Sequence, residues 1–383
     1  MNGYYNPVHI IQGPGSAAQL PKILKDMQLP NRRVLLLAWG KAVFQDPFFS
    51  DFIGGDENFE ICPKVFEASN PTVEQLFKIY RETEAFAPAA VVAIGGGSIM
   101  DVGKSLCCLY KKNIDDEDEL RAAIKESGSM KPSAKWIGIP TTSGTGSETT
   151  CWATIWDPSR DAKLSMENHD NYAYAAIVDP EMAKGMPAKL AVSSALDAAA
   201  HAVESYWARG TNCVSRALAL EAIEIIMTHM EALISGEESA HDAMAKGSML
   251  AGLAFSNTKT TACHSISYPL TMHYHIPHGT AVSMLLAPVM RMNMKSQNMA
   301  PLLKALGVRN ADELQDKISS FLKRSGQPAS LEAWGVRRED LDQLASLGIT
   351  KGRADNNPVQ LTPAHVKDIL EEIYTAGQAE QIA

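Results

Sequence analysis

The chain of 383 residues lacks several features that mark whole classes of protein. Six scattered cysteines, of which only Cys107 and Cys108 are close together, do not predict a disulfide framework and favour reduced thiols in the cytoplasm. No apolar run reaches the roughly 18 residues that a membrane helix needs. The first residues show no basic region followed by an apolar stretch, so we expect no signal peptide. The net charge of −9 argues against a nucleic-acid partner, which would require a basic face.

The first half of the chain contains short apolar runs that are typical of buried strands. They begin near Arg32, Pro88 and Lys135, and the first two are continuously apolar, as in a parallel sheet that is covered on both faces. Between the first two, the segment that begins at Asn70 opens with cap-like residues and continues with helical periodicity. This alternation predicts an α/β domain with a mostly parallel, Rossmann-like sheet that binds a dinucleotide.

From about Pro187 onward the strand patterns stop and long helical patterns replace them. A hydrophobic content of 45% in a chain of this length allows a large core in two domains. We therefore predict a dinucleotide-binding α/β domain over residues 1–184 and an all-α domain, which binds metal and substrate, over residues 185–383.

Two small-residue turns follow predicted strands. Gly95, Gly96 and Gly97 begin a helix after one strand, where bare backbone and free N–H groups favour a phosphate, although a tight turn alone would look similar. The pattern differs from the G-x-G-x-x-G fingerprint. Residues Pro140–Glu148, P-T-T-S-G-T-G-S-E, offer hydroxyls and N–H groups after another strand. Together the turns predict a dinucleotide at the sheet edge of one domain, and we interpret Lys104 as an ordinary first-turn surface residue.

One carboxylate and three imidazoles form the most informative pattern of the second half. Asp197 and His201 are four residues apart in an alanine-rich stretch that should be helical, so both side chains can reach one point. His264 and His278 complete a quartet of one oxygen and three nitrogen ligands, which suits a catalytic Fe²⁺ or Zn²⁺ with an open position. Alternatively, Asp197 and His201 could form a surface pair or a satisfied pair in the core, and His278 could be a plain turn residue. His273 and His275 also lie in the same stretch.

The motifs G-G-G-S-I-M-D, N-P-T, P-T-T-S-G-T-G-S-E, I-V-D-P, D-A-A-A-H, F-S-N and P-H-G occur in this order over nearly the whole chain. Together they resemble the group III metal-dependent alcohol dehydrogenases, usually called iron-containing. The resemblance implies that the first domain binds NAD(P) and that the helical domain holds a divalent metal at the cleft, with Fe²⁺ as the first candidate and Zn²⁺ as the alternative. It also implies that the chain forms homodimers or larger assemblies. The residues that match metal ligands are Asp197, His201, His264 and His278. Those that match cofactor contacts are Asn70, Gly96, Gly97, Ser98, Asp101, Thr141, Thr142 and Lys163.

The chain departs from this family at the position four residues after the third ligand. Many relatives carry a histidine there, a candidate proton relay, whereas this chain has Tyr268. A tyrosine can donate a proton, but its ordinary pKa of about 10 makes it a poorer relay. His275 or water are alternatives, as is a Tyr268 that only packs beside the site.

A second departure concerns the cofactor. Many NAD-specific relatives place an aspartate after the second strand, whereas here Trp39, Gly40 and Lys41 supply no carboxylate. The repulsion that would reject a 2′-phosphate is therefore missing. We expect NAD(H), with NADP(H) left open.

A third departure lies at the substrate end. The resemblance places Arg353 where small neutral residues usually line the pocket, and Lys259 lies five residues before a metal ligand. Either could be a solvated charge, but together they favour a small anionic aldehyde, since Arg suits tetrahedral oxyanions. We expect Phe255 and Trp152 to wall the pocket.

The sequence thus predicts NAD(P)H-linked reduction of an anionic aldehyde to its alcohol. The best candidate is sulfoacetaldehyde, reduced to isethionate, and phosphonoacetaldehyde is next. The alternatives are a dehydrogenase of neutral short alcohols or diols and, more remotely, a lyase like dehydroquinate synthase, which would use a glutamate ligand and a denser basic set.

Overall fold

The computed structural model describes residues 3–55 and 57–375, which divide into two compact units. The first, called here the α/β unit, comprises Asn6–Thr142 and Ser147–Ala183. The second, called the helical unit, comprises residues 3–5, Ser143–Gly146 and 184–375. The second small-residue turn is therefore divided, because its middle four residues pack with the helices. This corrects the expectation that both turns lie within one domain.

The α/β unit contains a six-stranded sheet in the order β1-β8-β5-β4-β2-β3, in which every paired neighbour is parallel. Its strands are β1 (His9–Gln12), β2 (Arg33–Ala38), β3 (Glu60–Val65), β4 (Ala90–Gly95), β5 (Lys135–Pro140) and β8 (Ala175–Val178). The predicted parallel, Rossmann-like sheet is confirmed. The carboxyl ends of β2, β4 and β5 meet at one edge because these three strands are neighbours.

Alternate side chains of the central strands enter two different cores. In β2, Leu35 and Leu37 belong to one apolar cluster, whereas Val34 and Leu36 belong to another. Both faces of the sheet are therefore covered, which is why the strand reads as a continuous apolar run. The helices of this unit are α1 (Leu20–Asp26), α2 (Lys41–Gln45), α3 (Pro47–Gly55), α4 (Val73–Thr83), α5 (Gly97–Leu109) and α6 (Glu117–Lys125).

A separate antiparallel hairpin, β6 (Trp152–Asp157) and β7 (Ala162–Glu167), completes the α/β unit. Ala153 and Ile155 of β6 are buried, whereas Trp152, Thr154 and Trp156 are half-buried, as expected for a strand with two unlike faces. The sequence-based assignment did not include this hairpin, because its alternation is short and its aromatic residues occupy the less buried face.

From residue 184 to residue 375, the last one described, the fold contains helices and turns but no strand, as predicted. The helices are α7 (Ala188–Trp207), α8 (Cys213–Ile234), α9 (Ser239–Thr258), α10 (Ala262–Tyr274), α11 (His278–Met284), α12 (Leu286–Asn293), α13 (Ala300–Leu306), α14 (Ala311–Arg324), α15 (Leu341–Leu347) and α16 (Pro363–Tyr374). One apolar core runs through them, and α7 is buried along most of its length. Within the described residues, no helix is long and apolar enough to cross a membrane.

Candidate metal centre and cofactor turns

Helix α7 carries the first two residues of the predicted quartet. Ala-rich sequence favours a helix here, and the four-residue spacing puts Asp197 and His201 on one buried face. Nδ1 of His201 lies 3.3 Å from the carbonyl of Gly144, which can only accept a hydrogen bond. This contact favours the tautomer with the proton on Nδ1, which leaves on Nε2 the lone pair that a metal ligand needs. Nδ1 also lies 4.0 Å from Oδ2 of Asp197.

The other two histidines come from α10 and from the first residue of α11. Nε2 of His264 lies 3.4 Å from Oδ1 of Asp197, and Nε2 of His278 lies 3.9 Å from the same oxygen. Gly279 explains how α11 approaches α7 so closely, because a Cβ at this position would lie 2.0 Å from the carbonyl oxygen of Ser193. The structure thus brings all four predicted ligands together. Asp197, His201 and His264 each offer a ligand atom within 4.8 Å of the others.

The ligand atoms of the quartet are suited to bind a cation. Oδ1 of Asp197 and Nε2 of His264 are fully buried without a hydrogen-bond partner in the described part of the chain, which is costly unless an ion satisfies them. Burial opposes the charge on Asp197, but His201, His278 and His264 outweigh burial and hold the pKa of the Asp197 carboxyl well below its usual range. Burial lowers the pKa of His201 to about 4, so this ring is neutral at pH 7, as ligation requires.

Glu204 supports His264 from behind. It is fully buried one helical turn after His201, and Oε2 of its carboxylate accepts a hydrogen bond from Nδ1–H of His264. Its Oε1 accepts hydrogen bonds from the Thr261 hydroxyl and the Cys263 N–H, both at 2.7 Å. Such a carboxylate fixes the tautomer and the orientation of a ligating imidazole.

The same carboxylate sets the charge at His264. Burial alone would lower the pKa of His264, but Glu204 and Asp197 outweigh burial and raise it to about 10. A positive charge is therefore stabilised at this ring, and a divalent ion at Nε2 would take the place of the proton.

Aromatic side chains line the quartet. The ring of Phe255 stacks on His201, with centroids 4.2 Å apart, and Tyr268 stacks on His278 at 6.0 Å. His275, the other predicted proton relay, is exposed at the end of α10. The structure thus records a contact with the quartet for Tyr268, whereas the role of His275 as a proton relay stays a prediction.

The two predicted substrate cations lie in neighbouring segments of the helical unit. Lys259 is the residue after α9, and Arg353 precedes a short 3-10 turn, Ala354–Asn356. Nε of Arg353 is buried and has no hydrogen-bond partner among the residues that the structure describes. A half-buried guanidinium with an unsatisfied N–H favours an anion as its missing partner.

In the α/β unit, the two predicted cofactor turns approach each other closely. A Cβ at Gly96 would lie 3.1 Å from Oγ1 of Thr142, which explains the glycine at this position. The N–H of Asn70 donates to Oγ of Ser98 at 3.0 Å, so the loop before α4 reaches the same turn. Asn70, Gly96, Ser98 and Thr142 are thus gathered at the carboxyl edge of the sheet, where α/β folds bind ligands. Gly97 begins α5, and Thr141 follows β5.

The interpretation of Lys104 as a surface residue is wrong. Lys104 lies in the middle of α5 and is 1% exposed, because this helix is apolar on nearly all sides. Its Nζ donates to the hydroxyls of Ser147 and Thr150 and to the carbonyl of Trp152 at 2.7–2.8 Å. Burial lowers the pKa of this amine, and Asp101, at 3.6 Å, opposes the effect.

Asp101 belongs to the same internal network. Its carboxylate oxygens accept hydrogen bonds from the Ser147 hydroxyl and from the N–H of Thr154, both at 2.9 Å. Burial raises the pKa of Asp101, while Lys104 opposes the shift. Both oxygens thus already have protein partners, and the contact with cofactor that the resemblance implies stays a prediction.

The remaining predicted residues of the α/β unit lie on or near its strands. Lys163 is on β7, with its ammonium 5.4 Å from the centre of the Trp156 ring, and Trp152 begins β6. Trp39 follows β2 and is 48% exposed, an unusual position for an indole. The segment after β2 contains no carboxylate up to Gln45.

The chain matches two family models that together cover most of it. The model described as iron-containing alcohol dehydrogenase matches residues 7–180, and the carboxyl-terminal model of the same family matches residues 191–374. An NADPH-dependent butanol dehydrogenase of Clostridium saccharobutylicum is 28% identical, covering 98% of both chains. A lactaldehyde reductase of Escherichia coli (strain K12) is 31% identical, covering 75% of this chain and 76% of the relative.

Among solved structures, the sulfoacetaldehyde reductase of Bifidobacterium kashiwanohense in complex with NAD⁺ has a TM-score of 0.85. It is 26% identical and covers 99% of both chains. The chain therefore belongs to the iron-containing alcohol dehydrogenase family. It is an NAD(P)-dependent and metal-dependent oxidoreductase that acts on a small alcohol or aldehyde, as predicted.

Proposed function

We propose that the enzyme reduces a small anionic aldehyde, with sulfoacetaldehyde as the best candidate and phosphonoacetaldehyde as the next. The observation that carries this proposal is the buried, unpartnered Nε of Arg353 in the unit that holds the Asp/His quartet. A sulfonate offers three oxygens to such a guanidinium, whereas the tail of an alkyl aldehyde has none beyond the reacting carbonyl. The likeness to a sulfoacetaldehyde reductase at 26% identity supports the same choice.

In this proposal, Asp197, His201, His264 and His278 hold the metal, which when bound supplies Lewis acidity toward a carbonyl oxygen. Phe255 stacks on His201 and excludes water from that side of the quartet. Arg353 and Lys259 bind the anionic end of the substrate and thereby orient its carbonyl group, which is how remote binding contributes to rate. Tyr268, whose ring stacks on that of His278, is the candidate proton donor.

In the α/β unit, Gly96, Gly97 and Ser98 are proposed to hold the pyrophosphate through the N–H groups at the start of α5. Asn70, Thr141 and Thr142 would make further cofactor contacts from the same sheet edge. The positioning of the hydride donor thus depends mainly on backbone groups.

The metal assignment is tested by His264→Ala. We expect loss of bound iron or zinc together with loss of turnover, because one of four ligands is gone. His273→Ala is the matched control, since His273 is exposed on the same helix. An active, metal-loaded His264→Ala enzyme would remove the quartet from the mechanism.

The substrate assignment is tested by comparing sulfoacetaldehyde with propanal, butanal and lactaldehyde, using NADH under anaerobic conditions with added iron or zinc. Arg353→Ala should lower kcat/KM for sulfoacetaldehyde by roughly 10–100-fold and change that for propanal far less. Lys351→Ala, which removes an exposed cation from the same turn, is the control. Equal losses on both aldehydes would contradict an anion site at Arg353.

A dehydrogenase of neutral short alcohols or diols is the second candidate. Its support is the likeness to a butanol dehydrogenase over nearly the whole chain and to a lactaldehyde reductase over three quarters of it. The same substrate panel separates the two, because this candidate requires butanal or lactaldehyde to be turned over better than sulfoacetaldehyde.

A further inference from the structure

Lys259 has a backbone conformation that is nearly confined to glycine. Its φ is 60° and its ψ is 179°, a region in which the Cβ of any other residue is strained. Its N–H donates to the carbonyl of Phe255 at 2.8 Å and so ends α9. A glycine would make the same turn without strain. The lysine therefore occupies a conformation that its own Cβ disfavours.

One side chain holds this turn from both sides. Nδ2 of Asn356 donates to the carbonyl of Thr258 at 2.8 Å and to the carbonyl of Thr260 at 3.0 Å. These are the two residues that flank Lys259. A single amide thus fixes the peptide groups before and after the strained residue.

Asn356 is also joined to the segment of the second cation. Its N–H donates to the carbonyl of Arg353 at 3.0 Å, and its own carbonyl accepts from the N–H of Arg209, also at 3.0 Å. The side chain of Asn356 thus holds the turn of Lys259, while its backbone N–H holds the turn of Arg353. The positions of the two cations are therefore linked through one residue.

Both segments are tied to the helix that carries His264. The hydroxyl of Thr261 donates to Glu204, the carboxylate behind His264. At the other segment, the N–H of Thr350 donates to Oγ of Ser265 at 2.8 Å. The anchors of the two cations therefore lie within a few residues of a predicted metal ligand.

We propose, resting on the function proposed above, that Asn356 is a positioning residue for the anionic end of the substrate. It holds Lys259 in its strained turn and Arg353 in the adjoining turn, so that an ammonium and a guanidinium bind the same oxyanion. The strain at Lys259 persists because the ammonium is needed at this point. Because both backbones are fixed beforehand, binding does not have to include the cost of ordering these two turns.

The strain is tested by comparing Lys259→Ala with Lys259→Gly. Both variants remove the ammonium, but alanine keeps the strained Cβ and glycine does not. We expect the glycine variant to melt roughly 2–4 °C above the alanine variant. Both should lower the ratio of kcat/KM for sulfoacetaldehyde to that for propanal by about tenfold. Equal melting temperatures, or an unchanged ratio, would overturn the proposal.

The positioning role is tested by Asn356→Ala, made in the wild-type enzyme and in the Lys259→Gly variant, with bound metal measured in each. In the wild type, the selectivity ratio should fall by about tenfold while the metal content stays unchanged. In the glycine background the same substitution should lower the ratio by less, since no strained lysine remains to be held. A merely structural residue would impair both aldehydes equally in both backgrounds, and that result would overturn the positioning role.

The two proposals fail in different ways. If the wild-type enzyme prefers sulfoacetaldehyde but the Lys259 and Asn356 variants keep that preference, this inference is wrong and the proposed function stands. If the wild-type enzyme has no preference for sulfoacetaldehyde over propanal, the proposed function is wrong and the inference falls with it.

Discussion

In the α/β unit and in the helical unit, a buried charged side chain lies behind the groups proposed to bind ligand, and these two charges are opposite. Lys104 lies behind the turns proposed to bind an anionic cofactor, and Glu204 lies behind a ligand of the proposed metal. In the α/β unit the proposed binding groups are mainly backbone N–H groups, which need no side chain to orient them. Lys104 instead joins two segments of chain, because it lies on α5 and donates to Ser147 in the second turn and to Thr150 just after it. In the helical unit the proposed binding groups are side chains, so the buried charge orients a ring.

This difference indicates what a substitution should do in each unit. Removing Lys104 leaves Asp101 and several buried acceptors without their cation, so folding of the α/β unit should suffer most. Removing the charge of Glu204 leaves a packed helix in place, so metal affinity should suffer more than folding. The predictions below test whether the two buried charges differ in this way.

The largest effect is expected from Lys104→Met. It should destabilise the protein by roughly 3–5 kcal/mol, because it leaves Asp101, whose side chain is 17% exposed, without its cation, and NADH should bind more weakly. Thermal unfolding and a fluorescence titration with NADH measure the two effects. Lys112→Met, at an exposed lysine just after α5, should stay within about 0.5 kcal/mol. If both variants are equally stable, the buried cation is not needed to join the turns.

Glu204→Gln should have a smaller and different effect. The amide preserves the shape but loses the charge that supports His264, so the affinity for iron or zinc should fall by roughly 10–100-fold. Competition with a chelator measures this affinity without relying on turnover. Glu224→Gln, at an exposed residue of α8, is the control. If Glu204→Gln weakened NADH binding and left the metal affinity unchanged, Glu204 would not support a metal ligand and the proposed difference between the two units would be wrong.

The smallest effect concerns the edge of the sheet after β2. Gly40 has an extended backbone with φ −170°, and a Cβ there would meet no atom within 4 Å, so a side chain fits without strain. Gly40→Asp should shift the ratio of kcat/KM for NADH to that for NADPH by roughly tenfold toward NADH, because a carboxylate repels a 2′-phosphate. Gly40→Asn supplies the same shape without the charge. If both variants shift the ratio equally, repulsion is not the cause.

Much of the fold was predictable from local pattern. The continuous apolar runs after Arg32 and Pro88 correspond to β2 and β4, because strands covered on both faces need no polar side. The β6–β7 hairpin was not predictable in this way. The buried apolar face of β6 contains only Ala153 and Ile155, and a pattern of two residues is too short for periodicity to detect. The spacing in α7 predicted that Asp197 and His201 would share a face, and they do.

The supporting residues were harder to predict. Glu204 had a signal, because it is three residues after His201 and so lies on the same helix face. Lys104 is buried because α5 is apolar on nearly all sides, and its place soon after the glycine turn gives no sign of that burial. Asn356 had no local signal, since its amide bonds residues that are 96 and 98 positions away along the chain. Such contacts depend on tertiary packing.

The assignment of Ser143–Gly146 to the helical unit has a consequence for recombination between relatives. Gly144 and Gly146 pack so closely against Ser194 and Gly252 that a Cβ on either glycine would lie within 3.0 Å of its neighbour. A chimera with a single crossover near residue 183 would therefore pair these four residues with foreign helices. To exchange cofactor preference by recombination, the donated α/β segment would have to keep residues Ser143–Gly146 of the parent that supplies the helices.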